Sequence, residues 1–455
     1  MQASKSLMVR ERRALTAGLI MVMTMIAFEA MAVATALPVA EKHLGDVRLY
    51  GWTFSAFLLA QIAGAAMVGT LVDRSGLAGP AGVGLALFAT GLAMGAGAPT
   101  MEFLVVSRTV QGLGAGAVSV AGFIAVSRAY PREIRPRMMA WLSSAWVVPA
   151  LAGPALAGIV AERASWRLVF AGIIPFAFMA GAITLPSLVR SDRSTRAAST
   201  PRSSLVRQGG RTALLVIGLA VLLGGVDLKN IPLAVSLTAV GGTSGIYGMI
   251  GLVPGEAGRT VERLVLLKGF LLFSFLGVES LLPLTLVDLD HQSPIRAGLV
   301  LTVSAVAWTT TSWLQSHVRF RLSRRAAIVA GFLTIGIGDC GILALLHRGT
   351  PYWIALIAWA VCGLGVGLAY PSVTLEAIGS TEGDGDGAAI SAFQTAETVG
   401  GALATGLGAA ALSWSVSGHH GLAPGIGTTD VIGIGGTVIA AVLAISMPAL
   451  SPPRA

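Results

Sequence analysis

Long apolar runs separated by short polar breaks dominate the chain. Runs near 14–37, 50–71, 80–98, 102–127, 138–160 and 168–189 precede a polar, basic stretch from Arg190 to Arg211. Two runs follow at 212–227 and 231–252, then six at 264–287, 297–315, 326–346, 352–375, 388–412 and 430–449. About 20 apolar residues in helical form cross the hydrocarbon layer of a bilayer. The pattern therefore predicts an all-α integral membrane protein with fourteen transmembrane helices. The seventh is the shortest, barely separated from the eighth by Asp227-Leu228-Lys229-Asn230. The basic N-terminus followed by an apolar run mimics a secretory signal. The run from Ala14 to Ala36 is too long for that and carries Glu29, so it reads as the first membrane helix.

A repeat lies within this pattern. Gly112-Leu113-Gly114-Ala115-Gly116 matches Gly363-Leu364-Gly365-Val366-Gly367 at an offset of 251 (363 − 112). The same offset pairs Pro149–Gly153 with Gly400–Ala404, and an offset of 250 (279 − 29) pairs Glu29 with Glu279. The expected organisation is two pseudo-symmetric six-helix bundles, residues 1–189 and 264–455. Residues 190–263 are then a basic linker and two extra helices. Repeated halves around a midplane site are the usual build of a secondary transporter.

Composition sharpens this picture. The chain is 54% hydrophobic and 12% charged, about half the charged share of a soluble domain. Its 58 glycines suit helices that pack closely in a membrane. A net charge of +9 could point to nucleic acid, but the basic residues sit in short loops between apolar runs, so none is expected. Placing both termini in the cytoplasm puts most of the 31 Lys and Arg residues on that side, as the positive-inside rule requires. The two cysteines, Cys340 and Cys362, lie in apolar runs and read as packing residues. The Gly-rich stretches follow no strand, no phosphate-binding motif occurs, and the histidines lack ligand spacing. Neither cofactor, metal nor enzymatic activity is expected.

Charges inside apolar runs are the candidate chemistry, because each costs at least about 2.5–3.5 kcal/mol to insert. Glu29, Glu279 and Arg108 each fall about 12–13 Å along their helices from the same membrane face. They could converge on a central cavity, with the carboxyls accepting protons and Arg108 biasing them. A fixed structural pair between Glu29 and Arg108 is the competing reading. Glu397 is expected to hydrogen-bond between the halves, Asp339 to point to a polar seam, and Lys268 to snorkel toward the cytoplasmic face. Trp308, Trp359, Phe28 and Tyr370 are candidates for apolar and stacking surface.

At these residues the chain resembles the major facilitator superfamily, specifically its fourteen-helix drug:proton antiporters. Phe28-Glu29 through Leu37-Pro38 is similar to that branch's first-helix motif, with Glu where Asp is usual. Gly69-Thr70-Leu71-Val72-Asp73-Arg74-Ser75-Gly76 resembles the loop after the second helix, without its basic tail. Arg108-Thr109-Val110-Gln111-Gly112 resembles the fourth-helix motif, and Gly153-Pro154 with Gly158 the antiporter motif of the fifth. Ser293–Leu299 is similar to the re-entry into the tenth. The resemblance implies a monomeric plasma-membrane exporter of small amphipathic, drug-like compounds, driven by protons. It implies Glu29 and Glu279 as proton carriers, with Arg108, Gln111 and Glu397 at the cavity. It also implies a cytoplasmic gate at Gly69, Asp73, Arg74 and Gly76 and a conformational motif at Gly153, Pro154 and Gly158; the acidic loop Glu376–Asp386 lies on the same side, where its charges either latch the halves or are simply solvated. Export of one endogenous lipid or metabolite, proton symport, and a membrane sensor that transports nothing are the alternatives.

Overall fold

The computed structural model describes residues 2–130, 134, 138, 141–142, 144–194, 210, 214–223, 236, 240, 244, 259–317, 323–347, 349–379 and 386–447. Side chains are described within these, except for 2–12, 69–70, 72–75, 127–128, 191–194, 377–379 and 386–392. The described secondary structure is helical: α1 (Gln2–Leu44), α2 (Trp52–Ser75), α3 (Ala78–Ala96), α4 (Met101–Ala129) and α5 (Val147–Arg163). A short turn, Arg167–Ala171, leads into α6 (Ile174–Ser194). Then come α7 (Leu214–Leu223), α8 (Arg259–Leu284), α9 (Pro294–His317), α10 (Arg324–Leu343), α11 (Tyr352–Gly379), α12 (Asp386–Ser417) and α13 (Ala423–Ile445).

Eleven described helices are long and apolar enough to cross a membrane. Two more have fewer than 18 described residues: α5, with 17, in the fifth predicted run, and α7 in the seventh. The eighth predicted run, 231–252, falls almost wholly outside the described residues, so fourteen spans are not reached among them. Boundaries follow local chemistry. Thr100 caps α4 by accepting from the Phe103 amide at 3.3 Å, and Ser323 caps α10 by accepting from the Ala326 amide at 3.2 Å. Helix α1 runs through Pro38 to Leu44, beyond the predicted end at 37, because apolar packing continues through Leu37 and Ala40.

The repeat seen in the sequence recurs in the packing. A Cβ on Gly112 or Gly116 would strike the Phe57 or Gln61 carbonyl of α2. One on Gly363 or Gly367 would strike the Ser304 or Trp308 carbonyl of α9. So α4 lies on α2 as α11 lies on α9, with backbones too close for any side chain. One buried cluster runs through α8–α13 and takes in Ala34 of α1; another runs through α1–α6 and takes in Leu281 and Leu284 of α8, Leu412 of α12 and Ile426 of α13.

Call the end where α1 begins the near end. Among the described residues, two polar contacts join the halves at the opposite, far end. Lys42 of α1 pairs with Asp288 beyond α8 at 2.6 Å, and Glu162 of α5 accepts from the Ile295 amide of α9 at 3.2 Å. A cleft of about 470 Å³ lies toward the near end, lined by Ile20, Thr24, Trp141, Ser144, Ala145 and Val148.

Candidate functional site

Three of the residues expected at the site meet in one buried group. Arg108 of α4 pairs through Nη1 with Glu29 Oε1 of α1, and the same nitrogen donates to Gln111 Oε1 at 2.7 Å. Its Nε donates to the Thr53 carbonyl of α2 at 3.2 Å, and its Cζ lies 4.2 Å from the centre of the Phe57 ring. Helical spacing explains the convergence. Arg108 and Gln111 are three apart on α4 and share a face, so one guanidinium reaches both the amide and the facing acid. The group is sealed: Glu29 and Gln111 are 0% exposed and Arg108 is 2%. Glu29 Oε2 and Gln111 Nε2, an acceptor and a donor, have no hydrogen-bond partner among the described residues. The network is therefore incomplete as well as buried.

Glu279 stands apart from that group. It is 7% exposed on α8, and its carboxyl makes no ion pair or hydrogen bond among the described residues. The matching positions of Glu29 and Glu279 in the repeat thus have unequal surroundings: one acid is held by an arginine, the other by none.

A second cluster surrounds Glu397, and it corrects two expectations. Lys268 of α8 does not snorkel: it is 3% exposed, with Nζ 2.9 Å from the centre of the Tyr370 ring and 3.6 Å from Glu397 Oε2. Nζ also donates to Thr374 Oγ1 at 3.2 Å. Glu397 accepts from the Tyr370 hydroxyl at 3.3 Å on both oxygens, so its bonds lie within the second half instead of between halves. Tyr370 packs on Trp308 at 5.5 Å, Trp308 meets Phe275 edge-on at 6.0 Å, and Phe275 stacks on Trp359 at 4.8 Å. The predicted aromatic residues Trp308, Trp359 and Tyr370 therefore form one strip. Phe28 instead lies against Gly153 between α1 and α5. Lys268 showed no sign of this role in the sequence, because one Lys near a predicted helix end looks like an ordinary anchor. Asp339 faces inward, 0% exposed, and accepts from the Cys362 thiol at 3.3 Å.

With this geometry in place, the sequence profile of the Major Facilitator Superfamily matches residues 19–405. The chain belongs to the Major Facilitator Superfamily. A probable multidrug-efflux transporter of Mycobacterium tuberculosis is 24% identical over 404 residues, covering 86% of this chain and 85% of that one. The multidrug efflux pump SdrM of Staphylococcus aureus is 24% identical over 360 residues, covering 78% and 79%. A crystal structure of an auto-inhibited POT family peptide transporter superposes with a TM-score of 0.71 at 14% identity, covering 97% and 98%, which speaks to fold alone.

The superfamily motifs read in the sequence fall at two places. Gly69, Asp73 and Arg74 lie in the near-end turns of α2, whose side chains are outside the described set. Gly76 follows with φ of 76°, a left-handed conformation that suits glycine and ends the helix. Of the acidic loop, Glu376 binds Arg324 of α10 at 3.0 Å within its own half, while Glu382 and Asp384 fall outside the described residues. Pro154 and Gly158 lie on α5 at the meeting of the halves, while Gly153 packs on Met31 and Phe28 of α1 within the first half. An added Cβ on Gly158 would sit 2.7 Å from the Pro294 carbonyl, and one on Gly298 would strike the Pro154 carbonyl. Paired glycines thus let α5 and α9 touch backbone to backbone across the interface.

Proposed function

We propose that this superfamily member exports small amphipathic compounds across the plasma membrane in exchange for protons, by alternating access. The observation that carries the reading is the sealed Glu29–Arg108–Gln111 group. An ion pair is expensive to keep inside a membrane bundle and is a functional candidate by default. Arg108 cannot release a proton at ordinary pH, whereas Glu29 can accept one. A proton arriving at Glu29 removes the charge that holds Arg108. Arg108 is then held by Gln111 and the Thr53 carbonyl alone and is free to pair with a substrate group, and this exchange links protonation to helix position. Glu279, with no counter-charge among the described residues, serves as the second proton carrier. The multidrug-efflux relatives support drug-like cargo.

In this reading both termini are cytoplasmic and the two extra helices complete fourteen spans in a monomer. The far end, joined by Lys42–Asp288 and Glu162–Ile295, faces outward. Gly69, Asp73, Arg74 and Gly76 gate the cytoplasmic mouth, and the Pro154–Gly158 face of α5 is the surface on which the halves close. A reporter fused after Arg196 lies in the cytoplasm and one inserted near His419 lies outside; a shared compartment for both rejects this topology.

The deciding experiment is drug transport in reconstituted vesicles with and without an imposed proton gradient. Wild-type protein should move drug only with the gradient. The Glu29→Gln, Glu279→Gln double variant should lose gradient-driven movement. Full export by that variant leaves the carboxyls structural and rejects the coupling scheme.

A further inference from the structure

The Lys268–Glu397 cluster has a composition that a purely structural ion pair does not need. A cation rests on the face of a tyrosine, beside a carboxylate held by the same tyrosine's hydroxyl. An aromatic face and a neighbouring anion together form a seat for an organic cation. Here the protein's own ammonium fills it.

The two partners are unequally shielded. The Lys268 side chain is 4% exposed and that of Glu397 23%, so the ammonium sits behind and the carboxylate remains approachable. The cluster is built from α8, α9, α11 and α12. Three of these, α8, α9 and α12, also pack on helices of the first half, namely α1, α5 and α2. Three of its four helices thus also form the junction with the first half. From the carboxylate, Tyr370 leads to Trp308 at a tilt of 55°, and Trp308 in turn meets the buried Phe275 edge-on.

We propose that Lys268 is a tethered counter-cation, and that monovalent lipophilic cations are carried by displacing it from Glu397 and Tyr370. The incoming charge pairs with Glu397, its apolar body lies against Trp308, and the lysine ammonium keeps its bond to Thr374. A tethered competitor weakens resting affinity, which favours release after transport. It also keeps Glu397 paired whenever no cation is bound, avoiding the cost of a lone charge in the bundle. This seat rests on the export reading above and narrows its cargo.

The test uses the full chain, purified in detergent, with tetraphenylphosphonium as the cationic probe and chloramphenicol as the neutral one, at one fixed pH. The readout is the ratio of the two affinities. Lys268→Met removes the competitor and should raise that ratio about tenfold, the scale of a buried charge contact. Glu397→Gln should lower it by about as much or more. Lys268→Arg keeps a tethered cation and should leave the ratio at or below the wild-type value. It guards against a methionine variant that fails to fold. The double variant Lys268→Met, Glu397→Gln should match Glu397→Gln. A ratio that stays constant or falls in Lys268→Met marks a structural latch and overturns the proposal, as does a raised ratio in Lys268→Arg. Gradient-driven flux of either probe in wild-type vesicles separates the two levels. Flux with a constant ratio rejects the seat alone, whereas absent flux of both rejects the export reading and the seat with it.

Discussion

The two halves each bury a cation against a carboxylate, and they do so in opposite ways. In the first half, Arg108 spreads over Glu29, Gln111 and the Thr53 carbonyl, and none of these side chains is more than marginally exposed. In the second, Lys268 is a point charge on a tyrosine face, and its carboxylate partner is partly open. The guanidinium is planar, permanently charged and multidentate, whereas the ammonium sits on a flexible stem and is readily replaced. The first pair suits a lock whose state changes only with a proton. The second suits a place that another cation can take. A repeat inherited at the level of helices has thus been filled with different chemistry.

Substitutions can break that contrast, beginning with the first pair. Arg108→Ala leaves Glu29 without its counter-charge and Gln111 without its donor. It should cost about 3–5 kcal/mol of stability, the range for halving a buried pair, read as a large drop in detergent melting temperature. Lys268→Met should cost clearly less, since Glu397 retains solvent and the Tyr370 hydroxyl. Equal losses would erase the distinction between lock and seat. Glu29→Gln keeps shape and hydrogen bonding but cannot cycle a proton. Gradient-driven export should fall at least tenfold, about 1.4 kcal/mol or more on the coupled step, while binding of a neutral drug persists. Glu29→Asp restores the acid and should keep most activity in the same vesicle assay.

Smaller effects sharpen the picture at the junction of the halves. Gly158→Val places a side chain where the Pro294 carbonyl stands, 2.7 Å from the first added carbon. Overpacking of this kind costs about 1–3 kcal/mol and should fall on the state with the far end closed. Thiol labelling from the far side should therefore rise at a cysteine introduced at Glu162. Lys42→Ala removes a far-end pair whose lysine is half exposed, and should cost under about 1 kcal/mol, within the scatter of the melting measurement.

Apolar periodicity made most of the helices legible, because in a membrane the length of an apolar run is itself the structural signal. The seventh run was the weak case for the same reason, being the shortest and barely separated from the eighth. The group at Glu29, Arg108 and Gln111 was readable because charges at equal depth on different helices stand out from apolar surroundings. Lys268 was not, because its burial depends on how far α8 extends past it and on Tyr370 arriving from α11. Neither can be inferred from the lysine's own neighbours. Glu397 was expected to bond between the halves but bonds to Tyr370 of its own, since the sequence does not say which face of a helix turns inward.

Helix α7 lies outside the repeat, yet Leu215, Leu219 and Leu223 are buried against Leu59 and Ile62 of α2 and Val399 and Ala402 of α12. Those two walls belong to different halves, so the added helix spans the seam like a splint. Widening the seam would wet leucines that are now dry, which weights the resting population toward the narrow spacing. Trimming Leu219 to Ala should thus act on how often the protein changes state, leaving what it holds untouched.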